Sequence, residues 1–328
     1  MMAGSNSTIP VELPPGAPGR SNIGPALARL KWESDRMLMN NLVFRLVRTK
    51  SEAWNGPEHF LLYKDRGLIE EYADFFSRIP SFSPANVLEL GIYDGGSLAF
   101  WYELLRPRKL AAIDLMTRGD GDYFRQYVAS RGIAKSISPH WGVDQADKDR
   151  LRQIVAEDFA ESIDLVIDDC SHLYGPTLAS FETLFPSLAY GGYYIIEDWA
   201  WAHFAQFNEP PSPLAFEKPL TRLAAKIVEA AGSQASAIRS VTVMKGFIAV
   251  ERGWSKSVSS QAPFALKEFL VRRPIRQIRL PKELFQRLLA MVHHLGARAL
   301  PHGTAGRRMY NRLKQAFRTC QDTIVHKP

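Results

Sequence analysis

Two pairs of carboxylates close two apolar runs: Asp168 and Asp169 end "DLVIDD", and Glu197 and Asp198 end "GYYIIED". Acids gathered where hydration is poor repel one another and resist desolvation, so four of them at buried strand ends call for a partner. A cation resolves the conflict. An all-carboxylate donor set suits a hard ion such as Mg²⁺, completed by water and substrate oxygens, better than zinc, for which Cys170 and His172 lack spaced partners. Asp169, Glu197 and Asp198 are therefore the expected metal ligands, and Asp168 is left to face a cofactor or to support the loop. His172, three residues beyond Asp169, is the expected general base, because a hydroxyl held on a divalent ion becomes more acidic and an imidazole can take its proton. His140 and His203 are weaker alternatives. Acids also cap helices as a matter of routine. That would account for one Asp more readily than for two matched pairs.

For these acids to converge, their runs must be neighbouring strands, about 4.8 Å apart. From Asn86 onward the short runs "NVLELGI", "KLAAIDL", "IDLVIDD" and "GYYIIED", with a weaker "ISPHWGV" between the second and third, alternate with longer amphipathic stretches. This spacing predicts an α/β fold: a mostly parallel sheet wrapped by helices, with ligands beyond the carboxyl ends of its strands. Residues 214–231 read as a helix, and "SVTVMKGFIAVERG" as two tightly joined strands that finish the sheet with an antiparallel pair near residue 252. Ahead of the sheet, "MLMNNLVFRLV" and "GLIEEYADFFSRI" carry helix-like apolar spacing, which predicts a helical cap over 26–80. Residues 1–25, rich in Gly, Pro and Ser without periodicity, read as a disordered leader. The expected order is leader 1–25, helical cap 26–80, sheet domain 81–252, and a basic helical extension 253–328 containing "PKELFQRLLAMVHHLGARAL" and "RRMYNRLKQAF".

The stretch "VLELGIYDGGSLAFWYELL" leads from a strand into a helix through Gly91, Asp94, Gly95, Gly96 and Ser97, placing small residues where a ligand must approach bare backbone. A dinucleotide fingerprint would put glycine two residues after Gly91, but Tyr93 stands there, which weakens an NAD reading. Asp114, ending the next strand, could accept hydrogen bonds from both hydroxyls of a ribose. Together Glu89, Gly91, Gly95 and Asp114 resemble the S-adenosylmethionine site of class I methyltransferases, with Ser97 in the same loop. Asp144 and Gln145, after the third strand, are further candidates for the adenine side or the catalytic pocket. Trp199 and Trp201 suit either a stacking wall for a sugar or aromatic acceptor, or core packing.

"LELGIYDGGS", the "DQAD" of Asp144 to Asp147, "IDDCSH" and "GGYYIIEDW" make residues 86–252 similar to the metal-dependent class I O-methyltransferases that modify sugar hydroxyls of macrolide antibiotics, the mycinamicin type. Proteins labelled cephalosporin hydroxylases carry similar "DD.SH" and "ED" motifs. The resemblance implies a Rossmann-like sheet, S-adenosylmethionine and magnesium as cofactors, Asp169, Glu197 and Asp198 on the metal, His172 as base, and a sugar or glycosylated small molecule as acceptor. It leaves the leader, the cap and the basic extension without a counterpart.

Charge is unevenly placed: from Arg252 onward 16 Lys and Arg stand against 3 Asp and Glu, while the rest of the chain has 25 against 31. A basic extension could touch nucleic acid, an anionic membrane or an acidic partner, or be a solvated helical face. A nucleic-acid methyltransferase or RNA-binding protein is thus one alternative, and a noncatalytic nucleotide-binding scaffold another. Two cysteines, Cys170 and Cys320, exclude a disulfide framework and fit a cytoplasmic protein. No apolar run reaches the roughly 18 residues a membrane span needs. Assembly as a homo-oligomer is compatible with all of these readings.

Overall fold

The computed structural model describes residues 23–47, 55–210, 212, 214–233, 236–255, 258 and 264–270. The chain begins with a short helix α1 (Ile23–Ala28), then β1 (Lys31–Glu33), β2 (Arg36–Met39), β3 (Leu42–Leu46) and β4 (Phe60–Leu62), followed by α2 (Arg66–Arg78). The four strands form a small sheet of their own, antiparallel except where β4 runs parallel to β3. The helical cap expected over 26–80 is therefore corrected: among the described residues of this stretch only α1 and α2 are helical. "MLMNNLVFRLV" is a hairpin because Asn40 and Asn41, at φ 50° and 65°, take the left-handed conformation that a two-residue turn requires and that Asn tolerates. Met37, Met39 and Phe44 are buried, at the two-residue spacing of a strand face.

The main sheet contains β5 (Asn86–Leu90), β6 (Lys109–Asp114), β7 (Ile137–Trp141), β8 (Ile163–Asp168), β9 (Leu188–Glu197), β10 (Ile238–Val243) and β11 (Phe247–Arg252), in the spatial order β10-β11-β9-β8-β5-β6-β7. Strands β5 to β9 are mutually parallel, and β11 is antiparallel to both β9 and β10. Between them run α3 (Gly96–Leu105), α4 (Asp122–Arg131), α5 (Lys148–Asp158), α6 (Tyr174–Leu184), the short α7 (Ala205–Asn208) and α8 (Thr221–Ala231). This is the expected Rossmann-like α/β fold with an antiparallel last strand. The chain works outward from β5 through β6 and β7, then returns to add β8 and β9 on the other side. The crevice between β5 and β8 is accordingly the switch point at which such sheets bind ligands.

Each face of the sheet has its own core. Val87, Leu110, Ala112, Ile167 and Ile195 pack toward the N-terminal sheet, α1, α2, α3 and α4. Leu88, Leu90, Ile113, Val166 and Ile196 pack toward α5, α6 and α8. The second core also takes in Val258, Phe264, Leu266 and Phe269, and the Leu266 amide donates to Glu182 Oε1 at 2.9 Å. The domain thus continues beyond the boundary expected at residue 252. Most of the basic extension, Cys320 and residues 1–22 of the leader lie outside the described residues; residues 23–25 open α1. Helix α8 starts at Thr221, later than the expected 214. Among the described residues no helix is long and apolar enough to cross a membrane.

The N-terminal sheet is locked to the main domain where α3 begins. A methyl group on Gly96 would lie 1.8 Å from the Leu61 carbonyl oxygen in β4, whereas one on Gly175, in the first turn of α6, would meet nothing within 4 Å. Gly96→Ala is expected to destabilise by about 1–3 kcal/mol through overpacking. Gly175→Ala is expected to be neutral or to stabilise by up to about 1 kcal/mol by restricting the unfolded chain. Urea unfolding of the two variants beside the parent checks both.

Candidate active site

The loop after β5 is shaped by backbone constraints. Gly91 sits at φ 107°, and a Cβ there would meet the Asp169 carbonyl oxygen at 2.2 Å, so the loop passes the end of β8 too closely for any other residue. Gly95, at φ 84°, is the residue before α3, and Tyr93 joins it in the left-handed region at φ 54°. Asp114 fastens this loop from below: its Oδ2 accepts from the Ile92 and Tyr93 amides and its Oδ1 from the Met116 amide, all at 2.8 Å. The residue expected to receive ribose hydroxyls therefore first fixes the loop. A carboxylate has about four lone-pair directions, so acceptor capacity is left over.

Glu89 is fully buried, and apart from the nearby Ser97 hydroxyl its carboxylate oxygens have no hydrogen-bond partner among the described residues. Burial pushes its carboxyl up to about 8, against the pull of the Lys64 charge and the Ser97 hydroxyl. An unsatisfied buried acceptor beside a glycine loop is a ready seat for a cationic group. A cleft of about 580 Å³ opens beside the same loop, lined by Asn55, Asp94, Arg118, Asp120 and Tyr123 among others.

The two acids that end β8 serve opposite faces. Asp168 belongs to a closed polar network: its Oδ1 accepts from Gln145 Nε2 at 2.8 Å, and its Oδ2 accepts from Ser180 Oγ at 2.9 Å and Tyr194 Oη at 2.7 Å. Burial raises this carboxyl to about 6, with the Tyr194 and Ser180 hydroxyls opposing the shift. Gln145 passes the network on, accepting from the Ser171 amide at 3.1 Å and its hydroxyl at 2.5 Å. Asp168, expected to face a cofactor or to support the loop, supports the loop that carries His172, and Gln145 is its partner in doing so. Asp144 is exposed and caps its own turn, accepting from the Ala146 amide. Burial and the neighbouring Asp168 and Asp114 charges push the Cys170 thiol up, which keeps it a packing residue.

On the other face, Asp169 and Glu197 meet a residue that sequence reasoning missed. The Lys64 ammonium, 1% exposed, lies 2.7 Å from Asp169 Oδ2 and 2.7 Å from each oxygen of Glu197. Tyr72 of α2 donates its hydroxyl to Glu197 Oε1 at 2.6 Å. The carboxylates of Asp169, Glu197 and Glu89 hold Lys64 well above its usual range in spite of burial. Burial and the Asp169 charge act to raise Glu197, but an ammonium against both its oxygens keeps the pair ionic.

His172 stands at the open side of this cluster. Its Nε2 lies 3.7 Å from Asp169 Oδ1 and 3.9 Å from Asp198 Oδ2, and the three residues present donor atoms within 4.8 Å of one another. His172 at φ 55° and Asp198 at φ 51° both occupy left-handed backbone, a conformation that costs energy for residues with a Cβ and that collects at functional sites. The strain is held from outside: Trp201 Nε1 donates to the His172 carbonyl at 3.0 Å, and the Asp198 amide donates to the Gly246 carbonyl at 2.8 Å. Trp201 is therefore core and support, and Trp199 donates to the Met244 carbonyl at 2.9 Å. Neither alternative histidine joins the cluster: His140 pairs with Asp158 at 2.6 Å, and His203 contacts Thr221 Oγ1 at 3.2 Å. The one signal for Lys64 was a cation directly after the apolar run "FLLY".

Residues 88–199 match a protein-family model described as a methyltransferase domain. The chain is 28% identical over 191 residues to an 8-demethyl-8-alpha-L-rhamnosyl tetracenomycin-C 2'-O-methyltransferase of Streptomyces olivaceus, covering 56% of this chain and 44% of that protein. It is 30% identical over 134 residues to a mycinamicin VI 2''-O-methyltransferase of Micromonospora griseorubida, covering 39% of this chain and 30% of the relative. It is also similar to the solved MycE methyltransferase of the mycinamycin biosynthetic pathway in complex with Mg, SAH and mycinamycin VI, with 23% identity and a TM-score of 0.44 over 56% of this chain and 50% of that one. The chain spans less than half the length of the curated relatives it matches.

The burial of Glu89 has a consequence for stability. Between about pH 4.5 and 8 the folded chain keeps a proton that the unfolded chain has lost, so this residue makes stability fall as pH rises through that window, by an amount on the order of a few kcal/mol. Glu89→Gln is expected to remove the slope, becoming the more stable protein at the alkaline end. Denaturant unfolding of parent and variant at pH 5, 7 and 8.5 measures the difference.

Proposed function

With residues 88–199 a methyltransferase domain, we propose that this chain is an S-adenosylmethionine-dependent O-methyltransferase acting on a hydroxyl of a sugar or glycosylated small molecule, with His172 as the general base. The observation that carries the reading is the placement of His172: an imidazole raised on left-handed backbone, flanked by Asp169 and Asp198, beyond the carboxyl edge of the sheet and next to the glycine loop. The relatives named for rhamnosyl tetracenomycin-C, olivosyl-oleandolide and mycinamicin VI support a glycosylated acceptor.

S-adenosylmethionine, when bound, supplies an electrophilic methyl group on a sulfonium. The chain's own contribution is alignment and charge. Gly91 and Gly95 let the loop turn tightly past Asp169 and Phe124, Ser97 lies in the first turn of α3, and Asp114 holds the loop while keeping spare acceptor capacity for a ribose. The unsatisfied carboxylate of Glu89 suits the ammonium of the methionine part. His172 Nε2 takes the proton from the acceptor hydroxyl as its oxygen is alkylated, and the imidazolium that results is stabilised by the carboxylates of Asp169 and Asp198.

A magnesium ion on Asp169, Glu197 and Asp198 does not fit the donor chemistry. Both oxygens of Glu197 and one of Asp169 are already committed to the Lys64 ammonium. The atoms that do converge, from Asp169, His172 and Asp198, include the imidazole needed for proton removal. Nucleic-acid binding through the basic extension concerns residues outside those described.

Incubation with methyl-labelled S-adenosylmethionine and a panel of glycosides is expected to yield a labelled, base-stable ether. His172→Ala is expected to lower kcat by about 10²- to 10⁴-fold, the usual contribution of a positioned base. Its affinity for S-adenosylmethionine should stay within about threefold, whereas Glu89→Gln should weaken that affinity by about tenfold or more, for loss of one charge-assisted contact. Undiminished turnover by His172→Ala would overturn the assignment of the base.

A further inference from the structure

We propose that Lys64 is a tethered cation that takes the place of a divalent ion between Asp169 and Glu197, so that the carboxyl edge of this sheet is assembled and active without added metal. The inference rests on the methyltransferase reading for the word active and on geometry alone for the rest. An ammonium has three N–H donors and no acceptor. Here three carboxylate oxygens, Asp169 Oδ2 and both oxygens of Glu197, surround Nζ at 2.7 Å, and Tyr72 fills a further acceptor position of Glu197. The coordination is saturated on the cation's side and nearly so on the acid's.

Burial turns this contact into an exclusion. Lys64 and Glu197 are each 2% exposed, with Tyr72 fully buried against Phe247 and Trp101, so the ammonium has no solvent into which it can swing. A divalent ion seeking Glu197 would have to leave an unpaired ammonium in a dry interior and place a second positive charge beside it, and both steps are strongly unfavourable. Magnesium also demands near-octahedral oxygen donors and gives up its waters reluctantly. What remains accessible is Asp169 Oδ1 and Asp198, on either side of His172, and these serve the imidazole. The cation comes from outside the sheet, from the segment between β4 and α2, and β4 is locked onto α3 by the close approach at Gly96.

Titration with Mn²⁺, followed by the loss of the free-ion electron paramagnetic resonance signal, tests this without reference to turnover. Full-length parent protein is expected to bind Mn²⁺ at least tenfold more weakly than Lys64→Met, in which the acids are released. Equal or tighter binding by the parent overturns the proposal. Should Lys64→Met fail to fold, parent protein labelled with ¹⁵N-lysine supplies the second measurement: the exchange-protected Lys64 ammonium resonance should persist in 10 mM Mg²⁺, and its disappearance overturns the proposal. If glycoside methylation is found, it should keep its rate within twofold in EDTA, and loss of turnover on chelation again overturns it. Absence of methylation of every glycoside would instead strike the functional reading and leave the Mn²⁺ result standing.

Discussion

One ammonium group among carboxylates is the constraint around which this site is organised. Glu89, Asp169 and Glu197 all lie toward the same face of the sheet, two of them buried and Asp169 half-buried, and three such anions without a counter-charge would not all stay ionised. Lys64 neutralises the Glu197 pair and shares Asp169, while Glu89, pushed up to about 8, stays protonated at neutral pH until a cation approaches it. What is left uncompensated is a small negative excess at Asp169 and Asp198, on the two sides of His172.

The segment between β4 and α2, and α2 itself, therefore shape this acidic cluster. Lys64 and Tyr72 come from these elements, and their positions are set by ordinary packing. Asp65 caps α2, its Oδ1 accepting from the Leu68 amide at 2.8 Å, which fixes the start of the helix at Arg66, two residues after Lys64. Ile69, Tyr72, Ala73 and Phe76 then form one buried stripe at helical spacing, and the stripe holds the Tyr72 ring against Phe247 at 4.4 Å between centroids. A helix cap and an aromatic stack thereby decide where a hydroxyl meets Glu197.

The sheet was legible in the sequence because its signal is redundant. Continuous apolar runs such as "NVLEL" and "LVI" have both faces covered, and each is bounded by glycine or acid where ligands approach. The acids at the strand ends were legible for the same reason. Lys64 was not, because one lysine among 41 basic residues has no period and no motif, and only the docking of β4 onto α3 shows that it points inward. The hairpin at 36–46 failed differently: its apolar residues fall in two short clusters, 37–39 and 42–44, so helical and alternating templates both match, and the decision lies with the backbone of Asn40 and Asn41. Asp168 and Gln145 were found as polar residues near the site, but their network was not legible, since hydrogen-bond partners from α6 and β9 cannot be seen along the chain.

The doubled acids at the strand ends have a common physical explanation in the alternation of a β-strand. Asp168 shares its face with Val166 and turns toward Ser180 and Tyr194, while Asp169, one residue on, turns to the face that carries Ile167 and Lys64. A single acid could serve only one of these layers. With two in sequence, the first ties the loop to the helix layer through Gln145 and Ser171, and the second presents a carboxylate to the ammonium and to the imidazole. At the end of β9 the division is repeated in another form. Glu197 stays in the dry interior with Lys64, and the left-handed turn at Asp198 swings its carboxylate, 62% exposed, out to the rim beside His172. Each pair therefore couples an inner acid that fixes structure to an outer one that flanks His172, and the backbone strain at His172 and Asp198 is what it costs to bring the outer groups together.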